Sequence, residues 1–395
     1  MNVLLYRYGS ICEPDMIAAF QKLNLQVIEV DEEITNKTLT AKDQVALVAK
    51  HLDKYHPLFV FSINFFPAIA EVCHIYQVKY VCWSVDSPVL ELFSNAIRYD
   101  TNRIFLFDQA QYNTFASYNP EGIFYLPLAS AVERFDSVLG ELTLPTETQT
   151  SVASETEAYK KPSAKHLHDN STEYLYDISF VGSLYNEKNK MHTLTKPLPE
   201  KIKGYVDGVC AAALKVYGYN FLESVVNDDV INALKECSPK FYQIDTAIPG
   251  LDTYVAANDF LGIQVTELER IQTLNVLANF FSVDLFTRSD SRMLQNVHVH
   301  EGIRSLDEMP WVFRQSKINL NLTSKSIQTG LPLRIFDIMG CGGFVMTNYQ
   351  AELPEVFEIG VELEAYGSME ELVDKCQSYL THEEARSNIA QNGSE

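Results

Sequence analysis

One stretch of the sequence, Lys317–Gln350, constrains the fold more than any other. Apolar and polar residues alternate from Lys317 to Thr323, a period of two that predicts a strand. A helix is predicted next, because Gly330 stands just before it and the pair Gly342-Gly343 stands where it must end. The apolar run Phe344–Thr347 predicts a second strand. The stretch therefore predicts one βαβ unit, the building block of parallel sheets.

The chemistry of this unit lies in its helix. Gly330, Arg334, Asp337 and Cys341 are spaced by four, three and four residues, so they share one face. A glycine before a helix lets backbone amides approach an anion, and the helix N-terminus favours phosphate. Asp337 lies about 9 Å along the axis from Leu331, a separation that suits a diphosphate and the ribose next to it. The alternative is that Arg334 and Asp337 form an ordinary surface pair.

The N-terminal third of the chain alternates predicted strands with predicted helices, which indicates a parallel sheet covered on both faces. Functional groups in such sheets gather just beyond the carboxyl ends of the strands. Here those ends carry Arg7–Ser10, Asn64, Trp83–Asp86 and Asp108. The predicted strands are Val3–Tyr6, Gln26–Val30, Leu58–Ile63, Lys79–Trp83, Arg103–Phe107 and Ile123–Leu126.

Asp86 is the candidate catalytic residue of this half. A carboxylate followed by Ser-Pro on a strand-end loop is placed to act as a general base, and Trp83 could stack on a sugar. The competing hypothesis is that Asp86 caps the helix predicted across Pro88. Asp108 also precedes a predicted helix, and for Asp108 the cap is the favoured interpretation.

A second sheet is predicted to begin at Tyr176–Tyr185, where a strand runs into a glycine loop. Gly182 and Ser183 in that loop could offer backbone amides to a phosphate. Arg288 follows the predicted strand Val283–Thr287, where a cation could meet a phosphate or could be a surface charge.

Composition excludes several classes of function. A net charge of −21 argues against nucleic-acid binding, because phosphate contacts supply most of such affinity. No apolar run is long enough to span a membrane and no signal peptide is evident, so a cytoplasmic protein is expected. The seven cysteines are scattered, which predicts reduced thiols rather than a metal site. His166 and His168 lie in a polar segment and are expected to be solvated.

These patterns divide the chain into an N-terminal domain with a parallel sheet (1–130), a polar linker or flexible insertion (131–175) and a C-terminal domain with a second sheet (176–395). Residues of about 187–265 are predicted to form a helical insertion in the second domain. The sequence shows no terminal helix, so we expect the native chain to continue past Glu395.

Several separated motifs, in order, resemble the CgeB-like glycosyltransferases, a bacterial family named for a spore maturation protein. The N-terminal half is similar to the family's accessory region, and the C-terminal half to its transferase region. The resemblance implies the GT-B architecture, in which two Rossmann-like domains face each other across a cleft. The motifs are VKYVCWSVDSP, RIFLFDQAQ, FYLPLA, DISFVGSLYNEK, EMPWVFRQSKINLNLT and TGLPLRIFDIMGCGGFVMTNYQAELPEVFEIG.

The resemblance also implies a donor site in the second domain. The loop Thr329–Leu331, which includes Gly330, would supply amides to the diphosphate, Arg334 its counter-charge and Asp337 a ligand for the ribose. Many GT-B enzymes have a second carboxylate eight positions earlier, where this chain has Thr329, so the donor sugar is not specified. No metal or other cofactor is implied, because GT-B enzymes stabilise the leaving diphosphate with dipoles and cations.

The function expected from this resemblance is transfer of a sugar, with a UDP-sugar as the first candidate donor, to a hydroxyl of a protein or glycan acceptor. Bacterial surface-structure glycosylation is the role that it suggests. Two alternatives stay open: a nucleotide-sugar epimerase of the same fold, and a non-catalytic spore or surface assembly protein.

Overall fold

The computed structural model describes residues 1–140, 174–239, 241–242, 244 and 248–395. The polar segment around His166 and His168 lies outside the described residues. The strands are β1 Asn2–Tyr6, β2 Gln26–Val30, β3 Phe59–Ile63, β4 Lys79–Ser84, β5 Asn102–Leu106, β6 Ile123–Tyr125, β7 Tyr176–Val181, β8 Val283–Thr287, β9 His298–Glu301, β10 Ser316–Asn321, β11 Val345–Asn348 and β12 Glu364–Tyr366.

A π-helical segment, Val255–Gly262, joins two of the helices into one continuous run. The α-helices are α1 Glu13–Lys22, α2 Glu32–Thr35, α3 Ala41–Tyr55, α4 Pro67–Tyr76, α5 Gln109–Phe115, α6 Val132–Gly140, α7 Glu200–Ala213, α8 Leu222–Val225, α9 Asp228–Cys237, α10 Leu251–Tyr254, α11 Ile263–Leu277, α12 Met309–Arg314, α13 Leu333–Gly340, α14 Leu353–Val356, α15 Met369–Thr381 and α16 Glu383–Ser394.

The N-terminal sheet has the strand order β2-β1-β3-β4-β5-β6, and all of its strand pairs are parallel. The chain changes its direction across the sheet between β1 and β3, which are neighbours through pairs such as Tyr6 with Ser62. In open parallel sheets the ligand crevice lies at this switch point, outside the carboxyl ends of the strands. The loops after Tyr6 and Ile63 therefore border the expected crevice of this domain.

The C-terminal sheet has the order β12-β11-β10-β7-β8-β9, and it too is entirely parallel. Its switch point falls between β7 and β10, which pair at Ile178 with Ile318 and at Ser179 with Asn319. The crevice of this sheet therefore lies beyond Val181 and Asn321. Two Rossmann-like domains are present, as predicted.

The βαβ stretch from which the prediction started has the expected form. Pro332 stands at the N-cap of α13, and the helix ends at Gly340. Gly342 follows with a φ of 69°, the left-handed conformation that glycine adopts at little cost. Ile335 and Ile338 are fully buried among the residues on one face of the sheet.

The helical segment that precedes α11 packs on the N-terminal domain. A single apolar cluster runs from one face of the N-terminal sheet into helices α7 to α10 and the start of α11. Within it the ring of Tyr254 lies 4.9 Å from that of Phe93 and 6.5 Å from that of Phe115. These helices occupy the range predicted to be helical, and they join the two domains through apolar contacts.

Two features differ from the sequence prediction. Residues 132–140, placed in a polar linker, form helix α6, because Phe135 is fully buried among residues of the C-terminal domain. The sequence prediction also gave the chain no terminal helix, but α16 follows α15 and buries Ile389 in an apolar cluster of the C-terminal domain. No helix in the described residues is long and apolar enough to span a membrane.

Candidate functional site

A cavity of about 230 Å³ lies at the switch point of the C-terminal sheet, beyond the carboxyl ends of β7 and β10. Its walls come from the β7 loop, helix α11, the β10 loop and the start of α13. The lining residues are Phe180, Val181, Gly182, Ser183, Tyr185, Lys188, Arg270, Asn321, Leu322, Thr323, Ser324, Ile327, Pro332 and Arg334. This is the position at which doubly wound sheets bind their ligands.

Arg270 on α11 is the central cation of this cavity, and the sequence prediction missed it. Its guanidinium donates to the carbonyl oxygens of Ser183 at 2.5 Å and Leu322 at 2.6 Å, so it joins the two strand-end loops. The group is 8% exposed and lies over the Tyr185 ring at 4.4 Å. Its Nε atom is buried and has no hydrogen-bond partner in the described part of the chain.

Two further cations complete the cavity. Arg334 donates from Nη1 to the carbonyl oxygen of Val181 at 2.8 Å, as expected for a helix start that faces the β7 loop. Lys188 is exposed and its ammonium lies 4.4 Å from the Tyr185 ring. Burial lowers the pKa of Arg270 and of Arg334, and the charge of Arg270 contributes to the lowered pKa of Arg334. An anion between these groups would relieve both costs.

The charge of the cavity contrasts with that of the whole protein. None of the described residues that line it is acidic, while three of them are cationic. The chain as a whole carries a formal charge of −21. The charges of Glu269 and Glu187 partly offset the burial of Arg270, and the lining itself leaves space for an anionic ligand beside its three cations.

Gly182 and Ser183 line the cavity. The backbone amides of Gly182, Leu184 and Tyr185, however, already donate hydrogen bonds within the protein. The amide of Gly182 donates to the carbonyl of Phe286 at 3.1 Å, within the sheet. The amide of Leu184 donates to Ser289 Oγ at 2.8 Å, and that of Tyr185 to Ser183 Oγ at 2.8 Å. The prediction that the Gly182 amide meets a phosphate is therefore corrected: side chains supply the positive charge here.

The loop Thr329–Leu331, predicted to present amides to a diphosphate, lies instead in the contact between the domains. The amide of Gln328 donates to Asp108 Oδ2 at 2.7 Å, and the Thr329 hydroxyl is 2.9 Å from Asp108 Oδ1. Gly330 packs closely on the Asp108 backbone: a Cβ atom added to Gly330 would lie 2.9 Å from the Cα atom of Asp108. Leu331 is only 3% exposed. In this arrangement the loop amides near Thr329 face a protein carboxylate.

Glu352, which the sequence prediction did not identify, reinforces that contact. Its carboxylate accepts hydrogen bonds from the Gln109 amide at 2.8 Å and the Tyr125 hydroxyl at 2.7 Å, both in the N-terminal domain. The Thr329 hydroxyl lies 2.6 Å from the same carboxylate. Burial is the main cause of a raised pKa at Glu352.

Asp337 lies on α13 as predicted but lines a different cavity from Arg334. This second cavity, about 430 Å³, lies between the domains, with Asp15 and Trp83 on the opposite wall. Asp337 is 4% exposed and makes no salt bridge with Arg334 among the described ion pairs. Burial raises the pKa of Asp337 to about 6, while the charges of Arg334 and Arg134 oppose that rise. The two residues are therefore not the surface pair of the alternative interpretation.

Asp86 and Asp108 are distinguished by the structure. Asp108 caps α5, as favoured, because its side chain accepts from the amides of Ala110 at 2.9 Å and Gln111 at 3.4 Å. Asp86 is exposed on the loop after β4 and does not cap the helical turn Leu90–Phe93, which has no side-chain cap. Its Oδ2 atom instead accepts from the Asn64 amide group at 2.6 Å.

Arg288 lies outside the basic cavity. Its side chain is exposed and packs beside Gly302, where a Cβ atom would lie 2.3 Å from Arg288 Cγ. The surface-charge alternative describes its position in this structure, because Arg288 is exposed and is not among the residues that line the cavity. Cys341, placed on the same helix face as Arg334 by its spacing, is buried in the apolar cluster under α13.

The first strand–helix turn of the N-terminal sheet is already filled by a carboxylate. One Glu13 oxygen accepts from the amides of Tyr8, Gly9 and Ser10 at 2.9, 2.9 and 3.0 Å, and the other from Arg7 at 3.0 Å. Glu13 is fully buried. These amides would otherwise form an anion site, so in this domain the strand–helix turn is occupied by a protein carboxylate.

Comparison with known proteins agrees with this geometry. Residues 269–395, which include Arg270, Arg334 and Asp337, match the model of a family described as glycosyl transferase-like. Sucrose-phosphate synthase from Thermosynechococcus elongatus is similar over 100% of this chain and 93% of that chain, with a TM-score of 0.51 and 10% identity. The architecture is GT-B.

Other solved structures are similar at slightly lower scores. Anabaena Alr3699/HepE, solved in complex with UDP and glucose, is similar over 100% of this chain and 94% of that chain, with a TM-score of 0.49 and 12% identity. UDP-GlcNAc 2-epimerase from Neisseria meningitidis, solved bound to UDP-GlcNAc, is similar over 100% of this chain and 96% of that chain, with a TM-score of 0.48 and 10% identity. No curated protein matches the sequence significantly.

Proposed function

We propose that the protein is a glycosyltransferase of the CgeB-like type that takes a sugar from a nucleotide-diphosphate donor and transfers it to a hydroxyl of a protein or glycan acceptor. The proposal includes UDP-sugars as the first donors to test, a cytoplasmic site of action and a role in bacterial surface-structure glycosylation. The observation that carries it is the cationic cavity formed by Lys188, Arg270 and Arg334 at the switch point of the C-terminal sheet.

The cavity suits a diphosphate for three reasons. Its cations are a lysine and two arginines, the side chains that pair best with phosphate oxygens. Arg270 has a buried Nε donor without a partner in the described residues, so a ligand oxygen would satisfy it. The position agrees with the family match, because Arg270 and Arg334 both lie within residues 269–395.

In the proposed reaction the acceptor oxygen forms a bond to the anomeric carbon of the sugar as the bond from that carbon to the diphosphate oxygen breaks. The acceptor proton passes to a base, and the diphosphate leaves with an added negative charge. Lys188, Arg270 and Arg334 would stabilise that charge, so the transfer needs no metal ion. Asp86 is the proposed base if the configuration inverts. If it is retained, Asp86 positions the acceptor hydroxyl instead.

Asp86 is suited to this task by its place in the fold. It stands on an exposed loop at the carboxyl end of β4. The next residue, Ser87, donates to the carbonyl of Ser326 at 2.7 Å, on the same loop as the cavity residues Ser324 and Ile327. The base and the donor site are therefore joined by one hydrogen bond between domains.

Asp337 keeps its proposed role as the ribose ligand. A carboxylate held in a cavity between the domains can accept hydrogen bonds from two vicinal hydroxyls. Asp337→Ala is expected to weaken donor affinity, and unchanged nucleotide affinity by calorimetry would remove Asp337 from the site.

A thermal-shift screen against UDP-, GDP- and dTDP-sugars tests the donor proposal. We expect one nucleotide class to raise the melting temperature of the wild type, because a ligand that binds the folded state stabilises it. Lys188→Gln should reduce this shift, whereas Lys201→Gln, an exposed lysine on α7, should leave it unchanged. A wild type that responds to none of these donors, or a Lys188→Gln variant that responds fully, would contradict the proposal.

A further inference from the structure

Asn64 has an unusual backbone at the switch point of the N-terminal sheet. It follows β3 directly and has a φ of 58°, in the left-handed region. Asparagine tolerates this conformation better than most residues, but it still costs free energy relative to an extended backbone. Such residues persist where the surrounding structure requires them, and they are frequent at functional sites.

The side chain of Asn64 connects three strand ends. Its Nδ2 atom donates to the Tyr8 hydroxyl oxygen after β1 at 2.9 Å and to Asp86 Oδ2 after β4 at 2.6 Å. Its Oδ1 atom accepts from the amide of Val85 at 3.0 Å. One amide group therefore fixes both the backbone and the carboxylate of the loop that bears Asp86.

We infer that Asn64 is a positioning residue for Asp86, an inference that rests on the proposed function. Asn64 holds the Oδ2 atom of Asp86, and no other side-chain or backbone donor to this carboxylate is found among the described hydrogen bonds. The Oδ1 atom is thus left to receive the acceptor proton. The left-handed backbone of Asn64 is what directs its amide from β3 across to the β4 loop.

The other titratable groups near Asp86 can be separated from Asp86 in the pH profile of kcat. Burial raises the pKa of the Tyr8 hydroxyl well above its usual value and that of the Cys12 thiol to about 12, so neither titrates near neutral pH. Lys37 approaches the Tyr8 ring at 6.0 Å. Asp337 titrates in the acidic range in wild type and variant alike, so the measured quantity is the displacement between their two profiles.

The variant Asn64→Gly tests the inference, because glycine keeps the positive φ without strain while losing the amide group. We expect kcat for transfer from the donor found by thermal shift, with water as acceptor and nucleoside diphosphate release as readout, to fall roughly 10- to 100-fold. Donor affinity by calorimetry should change less than twofold. The acid limb of the kcat profile should move to higher pH, because the carboxylate loses a hydrogen-bond donor.

Two comparisons separate positioning from a structural role. Gln77→Gly removes a side chain from another left-handed position, at the end of α4, and should leave kcat and its pH profile unchanged. The double variant Asn64→Gly/Asp86→Asn should be no slower than Asp86→Asn alone, since Asn64 acts through Asp86.

The outcomes distinguish this inference from the proposed function. A wild type that binds or turns over no donor overturns both. If the wild type turns over the donor but Asn64→Gly changes neither kcat nor the acid limb of its pH profile, the positioning role of Asn64 is overturned and the proposed function is not. Additive losses in the double variant would also overturn it, because they would show that Asn64 acts independently of Asp86.

Discussion

The hydroxyl oxygen of Thr329, in the C-terminal domain, lies 2.9 Å from a carboxylate oxygen of Asp108, in the N-terminal domain. Glu352 approaches the same hydroxyl at 2.6 Å, and the amide of Ala110 donates to it at 3.0 Å. A hydroxyl has one proton, so it can donate to only one of the two carboxylates. The raised pKa of Glu352, caused mainly by burial, favours a protonated carboxyl group at the second contact.

The first prediction is that the domain contact weakens as pH rises. The raised pKa of Glu352 means that the folded state holds its proton more tightly than the unfolded chain. Its stabilising contribution is therefore complete below the unfolded pKa and is lost as pH rises through the folded pKa. We expect the radius of gyration from small-angle X-ray scattering to increase as the pH rises above 4.5, the ordinary pKa of a glutamic acid. Glu352→Gln, which mimics the neutral acid, should remove that increase. An equal increase in the variant would show that protonation of Glu352 does not hold the domains together.

The second prediction separates the two arginines on which the sequence prediction relied. Arg334→Met should weaken donor binding at least tenfold, because Arg334 lines the basic cavity. Arg288→Met should change it less than twofold, because Arg288 lies outside that cavity. Calorimetric titration of both variants with the same donor measures this. Equal losses would show that the diphosphate extends toward β8.

The third prediction concerns Asp86. Asp86→Asn removes the base but keeps the hydrogen-bonding shape of the side chain, so kcat should fall by roughly 10²- to 10⁴-fold while the donor dissociation constant stays within twofold. The exposed carboxylate Asp31, replaced in the same way, serves as a control. Full activity of Asp86→Asn in a steady-state assay would remove the assignment.

The fourth prediction uses the buried carboxyl of Asp337, whose pKa is raised from 3.8 to about 6. The folded state binds the proton more tightly, so stability falls as pH rises from about 4 to about 6. Asp337→Asn should therefore be more stable than the wild type at pH 7.5, by on the order of 3 kcal/mol, and similar at pH 4. Melting temperatures at the two pH values test this. A difference that does not depend on pH would show that Asp337 is not neutralised by burial.

The fold was predictable because its signals are local. Alternation and apolar runs located the strands of the N-terminal sheet to within about two residues, and Gly342 marked the end of α13. The cap at Asp108 was predicted for the same reason, since a cap depends on the next few residues. Helix α16 was missed because its sequence contains few apolar residues and its stability comes from the packing of Ile389.

The site was less predictable because its contacts are distant in sequence. Arg270 bonds to Ser183 and Leu322, which are 87 and 52 residues away, so no spacing rule could select it. Thr329 was expected at a diphosphate because of its helix, yet the structure places it against Asp108, 221 residues earlier. The burial of Arg270 and its two carbonyl acceptors appear only in the folded structure, so no signal in the sequence pointed to it.

The proposed function depends on the cavity around Lys188, Arg270 and Arg334 holding the diphosphate of a nucleotide sugar. Calorimetric titration of the wild type and Lys188→Gln with UDP and with uridine tests it most directly, because the two ligands differ only in their phosphates. We expect UDP to bind at one site per chain, at least 100-fold more tightly than uridine, and we expect the ratio of the two affinities to be smaller in Lys188→Gln. Equal affinities for UDP and uridine, or no binding of UDP, would contradict it.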